Sequence, residues 1–225
     1  MEPPRPHRIA ARALVLSAVV ARAYLEEGAG DPHTEQLRAQ ILAWLSELDL
    51  SGAATAAEQK QLQRPVGRLA PREQVDASWL CEGLAVLAWG LGRAELPDAD
   101  AHVDPRHVAS SLGFLEASAG ALLALPTLRP DEELALALAR LTLIRERLAA
   151  FAQRPESIDL CALAEGAALG PLVLAGVPLQ EGDLRIDGKP LAQASAERVA
   201  EVTSSAIERS RALAWVRGEG PLYGL

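Results

Sequence analysis

The sequence predicts a mainly α-helical fold: one domain, residues 1–225, wrapped around a central apolar helix, with a small β-hairpin or meander before the C-terminal helix. Three observations carry this. Alanine and leucine dominate a chain that is only 4% aromatic, a bias toward helix over sheet. Apolar residues recur at helical spacing along almost the whole length, over 6–170 and again over 195–217. The period switches to alternation only over residues 171–191.

The elements follow in order. A first helix spans about residues 6–27, with Ile9, Ala13, Leu16, Val20 and Tyr24 on one stripe, and stops at Gly28 and Gly30. Its apolar run, preceded by Arg5 and Arg8 and followed by Ala21-Arg22-Ala23, imitates a short signal peptide. Arg12 and Arg22 bracket that run and favour an amphipathic helix of the mature protein. A second helix covers 32–48, with Leu37, Ile41, Trp44, Leu45 and Leu48 on one face. Thr55 and Glu58 have capping-box spacing and open a short third helix to about Leu62. Pro71 suits the first position of the central helix, which reaches Gly90 and is apolar almost all round from Ala77 onward.

Asp104 and Pro105 start the next helix, expected to run to about Leu125. Pro130 and three acids begin another to about Gln153, the acids at the positive end of the dipole. Asp159 caps a shorter helix to about Ala168. Then "VPLQEGDLRIDGKPL" alternates, with turn signals at Glu181-Gly182-Asp183 and Asp187-Gly188. Ser195 caps the last helix, and "GEGPLYGL" is the tail.

Charge and motif content exclude several chemistries. A formal net charge of −8, with Lys60 and Lys189 as the only lysines, lacks the footprint of a nucleic-acid binder. No apolar run approaches the ~18 residues of a membrane span. Cys81 and Cys161 lie in apolar stretches without metal spacing and read as buried free thiols of a reducing compartment. No dinucleotide, phosphate-loop, nucleophile-elbow or zinc-protease signature occurs, and no cofactor is expected. The serine pairs Ser110-Ser111 and Ser204-Ser205 read as close-packing residues, and Trp44, Trp79, Trp89 and Trp215 as core.

Two places hold candidate chemistry. Glu82 is the one charge in "WLCEGLAVLAWGLG", on a helical side shared with Val75, Trp79, Val86 and Trp89. A buried carboxylate without a partner is costly or stays protonated, so a cation should meet it. Arg209 falls inside the apolar stripe of the last helix, with Val199, Val202, Ala206, Leu213 and Val216. A Glu82–Arg209 structural pair is therefore expected, the guanidinium fork satisfying both carboxylate oxygens. The alternative makes Glu82 a general acid or base in a helical cleft. The second place is "DADAHVDPRH", where Asp98, Asp100, His102 and His107 form a loose ligand cluster with Asp104. It fails as a calcium loop, because Val103 stands where glycine is needed and Ala109 where glutamate is needed. A solvated loop whose last acid caps a helix is the simpler account.

"WLCEGLAVLAWGLG" followed by "ELP", and "ERSRALAW" near the end, resemble a bacterial family catalogued as domain of unknown function 4272. The matching positions are Trp79, Glu82, Leu84, Leu87, Trp89, Leu91 and Gly92, then Glu208, Arg209, Ala212, Leu213 and Trp215. "ARALVLSAVVARAYLEE" and "ILAWLSELDL" are also similar, so the likeness runs from about Arg8 to Trp215. Family members often end in a tryptophan-aspartate stretch where this chain has "GEGPLYGL". The resemblance implies no activity. It implies that Arg12, Ala13 and Leu16 belong to the mature fold of a cytoplasmic protein, and it puts Glu82 and Arg209 in the two most recognisable segments.

The function expected from these features is non-enzymatic: a soluble helical protein that acts by binding another protein or itself. The alternative is an enzyme, or a small-molecule or metal binder, with a cleft near Glu82 or ligands at Asp98, Asp100, His102 and His107.

Overall fold

The computed structural model describes residues 2–165 and 170–224. Helix starts lie where short-range chemistry puts them. α1 (Pro6–Tyr24) and α4 (Pro71–Gly90) begin with proline in the first turn, where the missing N–H costs nothing. α2 (Pro32–Glu47) follows Asp31, whose carboxylate accepts from His33 N at 2.8 Å. α3 (Ala56–Gln63) has the full capping box: Thr55 N donates to Glu58 Oε2 at 2.8 Å, and Glu58 N donates to Thr55 Oγ1 at 3.3 Å.

The helix expected over 104–125 is two helices, α5 (Pro105–Ser111) and α6 (Ser118–Ala124). Gly113 is left-handed at φ 77, Phe114 N donates to Ala109 O, and Gly113 N donates to Ser110 O. This is a Schellman stop, which ends the helix despite its continuing apolar period. It turns Phe114 edge-on to Trp44, with ring centroids 5.2 Å apart.

α7 (Asp131–Gln153) and α8 (Leu160–Glu165) follow the expected starts. The expected end of α8 near Ala168 lies outside the described residues. The β insert is shorter than the sequence implies. α9 (Gly170–Leu174) occupies its first part, and Arg140 donates to Leu172 O at 3.0 Å and Val173 O at 3.3 Å at the end of that helix. A short apolar run such as "PLVLAG" has no period that separates helix from strand. The meander is β1 (Leu179–Gln180), β2 (Asp183–Ile186) and β3 (Lys189–Pro190), antiparallel in the order β1-β2-β3. Leu179 pairs Leu184, and Ile186 pairs Lys189. Both two-residue turns, Glu181-Gly182 and Asp187-Gly188, have positive φ at both positions, as hairpin turns matched to strand twist require. α10 (Ala196–Val216) starts at Ser195, whose hydroxyl accepts from Arg198 N.

α1 packs on α4, α4 on α10, and α10 on α7. The centre is thus shared by two helices, where the sequence suggested one. α1 is buried around nearly its whole girth from Ile9 to Val20, although Tyr24, the end of the expected stripe, is 40% exposed. The main core joins α1, α2, the end of α3, α4, α5, α6, the first half of α7 and the end of α10. A smaller core of Ile144, Leu148, Val177, Leu184, Ile186, Leu191, Val202 and Ala206 lies under the meander. Among the described residues no helix is long and apolar enough to cross a membrane.

Candidate functional site

The structure brings Glu82 and Arg209 together. Glu82 is 2% exposed on α4 and Arg209 1% exposed on α10. Arg209 Nε lies 2.8 Å and Nη2 2.6 Å from the same oxygen, Glu82 Oε2. The expected use of both carboxylate oxygens by the fork does not occur: Oε1 instead accepts a long 3.4 Å bond from Val103 N. Arg209 is turned so that Nη1 reaches Asp98 O and Nη2 reaches Ala101 O, each at 2.7 Å. The pair therefore clamps the 91–104 loop onto two helices. Val75, expected on the buried side with Glu82, is 52% exposed, because α4 emerges from the core before Ala77.

The same loop disperses the candidate ligands. Asp98 offers its main-chain oxygen to Arg209. Asp100 accepts from Asp187 N at 2.8 Å through its carboxylate and from Arg198 Nη2 at 2.8 Å through its main chain. His102 Nε2 lies 2.6 Å from Arg198 Nη1 and 3.3 Å from Glu201 Oε2. Asp104 caps α5 by accepting from Arg106 N, and His107 is exposed. Among the described residues no three His, Cys, Asp or Glu side chains converge on a metal position.

Three further buried arginines use the same device, and the sequence reading did not single them out as clamps. Arg12 forks onto both oxygens of Glu58, Nη1 to Oε2 at 2.7 Å and Nη2 to Oε1 at 2.5 Å, and its Nε donates to Tyr223 O at 2.7 Å. Arg147 forks onto Asp183, Nε to Oδ1 at 2.7 Å and Nη2 to Oδ2 at 2.6 Å, and also donates to Glu156 O at 2.7 Å. Burial pushes the Asp183 carboxyl up, but Arg147 and the Leu184 amide outweigh it and hold the group below the ordinary range. Arg22 pairs with Glu26 at 2.6 Å and donates to Pro65 O at 2.9 Å. The signal was available: an arginine inside an apolar helical stripe, the argument that picked out Arg209.

An open cleft of about 540 Å³ lies between α3, α4 and α10, lined among others by Ala57, Trp79, Leu80, Ile207 and Glu208. Gly224 also lines it, beside Arg12 and Leu16 of α1. Tyr223 is 1% exposed, and its hydroxyl donates to Glu208 Oε2 at 2.9 Å. Burial first, then the Glu208 carboxylate, holds that hydroxyl well above the usual tyrosine range, so it is a donor at neutral pH. The ring lies on Gly83, where a Cβ would overlap it. A glycine inside an apolar helix was the clue to this close approach.

Trp44, Trp89 and Trp215 are buried as expected, while Trp79 is half-buried on the cleft wall. Ser205 is buried and Ser111 half-buried, but Ser110 is exposed and Ser204 lines the cleft. Cys81 is buried, and burial, then the neighbouring Glu82, pushes its thiol up to about 12, which makes it inert. Cys161, expected to be buried, is exposed, since the 6-residue α8 turns it away from both cores.

The architecture is thus that of a mainly helical protein whose buried arginines clamp loops and a tail onto packed helices, with a cleft beside the tail. The chain belongs to the family described as Domain of unknown function (DUF4272), whose model matches residues 1–156. That match takes in α1–α7, with Arg12, Glu58 and Glu82, and stops before the meander, α10 and the tail. Arg209 and the segment around it, which the resemblance included, lie beyond it. No curated protein and no solved structure matches the chain.

Proposed function

We propose that the protein is a single-domain, non-catalytic binding module that works in the cytoplasm and takes a segment of a partner protein into the α3–α4–α10 cleft. The observation that carries this is the chemistry of the cleft. Its apolar wall of Ala57, Trp79, Leu80 and Ile207 is open, while two of its acids are already engaged. Glu58 is held by Arg12 and Thr55 N; Glu208 is held by Arg211 and the Tyr223 hydroxyl. A general base works best when its carboxylate is not held by cations, and both oxygens of each acid already accept hydrogen bonds, an arginine among the donors in each case. The same argument applies to Glu82, whose oxygens face Arg209 and Val103 N, and supports its reading as half of a structural pair. Asp76, exposed on the cleft wall 3.7 Å from Arg72, and the net charge of −8 favour an apolar segment carrying lysine or arginine, and disfavour nucleic acid. The unpaired thiols fit a reducing compartment.

The test compares wild type, a Trp79→Ala/Ile207→Asp cleft variant and a Leu125→Asp control by native mass spectrometry after gentle isolation from source cells. The expected result is a stoichiometric protein partner held by wild type and the control, and bound about thirtyfold or more weakly by the cleft variant. Undiminished binding by the cleft variant refutes the cleft as the docking site. A bound metabolite or metal in place of a protein moves the assignment to the enzyme or small-molecule reading.

A further inference from the structure

Beside the cleft, the Tyr223 side chain fills a shaped slot. Four features build it. Gly83 removes the one side chain on α4 that would fill the space of the Tyr223 ring. Glu208 on α10 accepts the hydroxyl at 2.9 Å. Arg12, itself 2% exposed and locked by Glu58, donates Nε to the tyrosine's main-chain oxygen at 2.7 Å. Leu80, Glu58, Glu208 and Gly224 line the open cleft, so the slot and cleft form one continuous surface. Ring, hydroxyl and main chain of one tyrosine are thus each recognised separately, by α4, α10 and α1.

The occupant is attached by a short, glycine-containing lead, residues 217–222, with Gly218 at φ 73 and Pro221 limiting its hydrogen bonding. Gly218 N and Glu219 N donate back to α10, and Arg217 binds Asp131 and Glu219. Among the described residues, the segment 220–224 is held by Arg12 Nε on Tyr223 O and by the Tyr223 hydroxyl on Glu208 and Leu80 O. A short terminal segment anchored through one buried ring can open at lower free energy than the helices beneath it.

We infer that Tyr223 is a ligand held in cis, and that a tyrosine-bearing segment of the partner enters the slot by replacing it. This rests on the cleft being the docking site, since the partner's remaining residues would lie along Trp79 and Ile207. The tail then sets a threshold: an attached occupant competes at an effective concentration in the millimolar range, and a partner must exceed it.

The experiment uses a chain shortened after Gly218, titrated with the synthetic peptide GEGPLYGL by calorimetry. The peptide is expected to bind once per chain and raise the melting temperature. Its Tyr→Phe form should bind about tenfold more weakly, having lost a bond to a charged acceptor, and its Tyr→Ala form not measurably. A shortened chain that melts cooperatively yet binds no peptide overturns the inference. Should that chain not fold, the intact chain decides. It has two tyrosines, so fluorotyrosine labelling gives one NMR line each for Tyr24 and Tyr223. Excess unlabelled peptide is expected to move the Tyr223 line to its solvent position with helicity unchanged, and a line that stays in place overturns the inference. Peptide binding alongside a silent Trp79→Ala/Ile207→Asp comparison would keep the slot and refute the docking cleft, so the two failures are separable.

Discussion

The main core and the smaller core under the meander are stabilised by the same device on different scales. In each, an arginine on a helix meets a carboxylate from another element and gives its remaining N–H groups to loop carbonyls. In the main core, Arg12 and Arg209 are surrounded by the α1, α4 and α10 contacts and by buried side chains from eight helices. In the smaller core, Arg147 and Asp183 sit among eight buried apolar side chains and a sheet of two- and four-residue strands. Area buried scales the hydrophobic stabilisation, so the second region should open at lower free energy than the first. An ion pair in a region that opens locally can relieve a lost partner by rehydrating, whereas one in the main core cannot without unfolding the whole.

That difference orders the expected effects. Arg209→Met, which keeps the apolar stem but strands Glu82, should cost about 3–5 kcal/mol in chemical denaturation and free the 91–104 loop to proteolysis. Arg147→Met strands Asp183 in the same way but should cost only about 1–3 kcal/mol globally. Its larger signature should be fast exchange of the Leu184 and Arg185 amides with tryptophan fluorescence unchanged. Equal global losses from the two variants would erase the distinction between the cores.

Tyr223→Phe should cost about 1.5 kcal/mol, the worth of a hydrogen bond to a charged acceptor, and Tyr223→Ala more, read from the melting curves. Acid should sharpen the comparison next. Asp183 has a folded pKa below its unfolded value, so its stabilising contribution is complete above about pH 3.9. The contribution is lost as pH falls through the lower folded value. Exchange at Leu184 should therefore rise there before fluorescence from Trp89 and Trp215 changes; simultaneous loss would mean one cooperative unit. The smallest effect is chemical. A thiol reagent at pH 8 should modify Cys161 and spare Cys81 until the chain is denatured, with no change in stability.

Two-thirds of the chain lies within a family match that ends at residue 156, yet the main core does not end there. Ala212, Leu213, Trp215 and Val216 complete it, Arg209 neutralises Glu82, and Tyr223 closes it over Gly83. The core of the matched segment is therefore completed by residues outside the match.

What the sequence determined by itself is whatever lies within about four residues of its cause. Pro6 and Pro71 start helices, Thr55 and Glu58 cap one, and Asp187-Gly188 makes a turn, because each effect acts on the adjacent backbone. The apolar stripe carrying Arg209 was legible for the same reason, and so was Glu82's need for a cation. The stop at Gly113 was missed because a helical period continued past it. Tertiary structure alone decided which charge meets which: Arg12 takes Glu58 at a separation of 46 residues, Arg147 takes Asp183 at 36, and Arg209 takes Glu82 at 127. It alone put the hydroxyl of Tyr223 against Leu80, 143 residues away. A buried charge states only that it needs a partner; which partner it finds depends on the order in which the helices pack, and no local pattern carries that order.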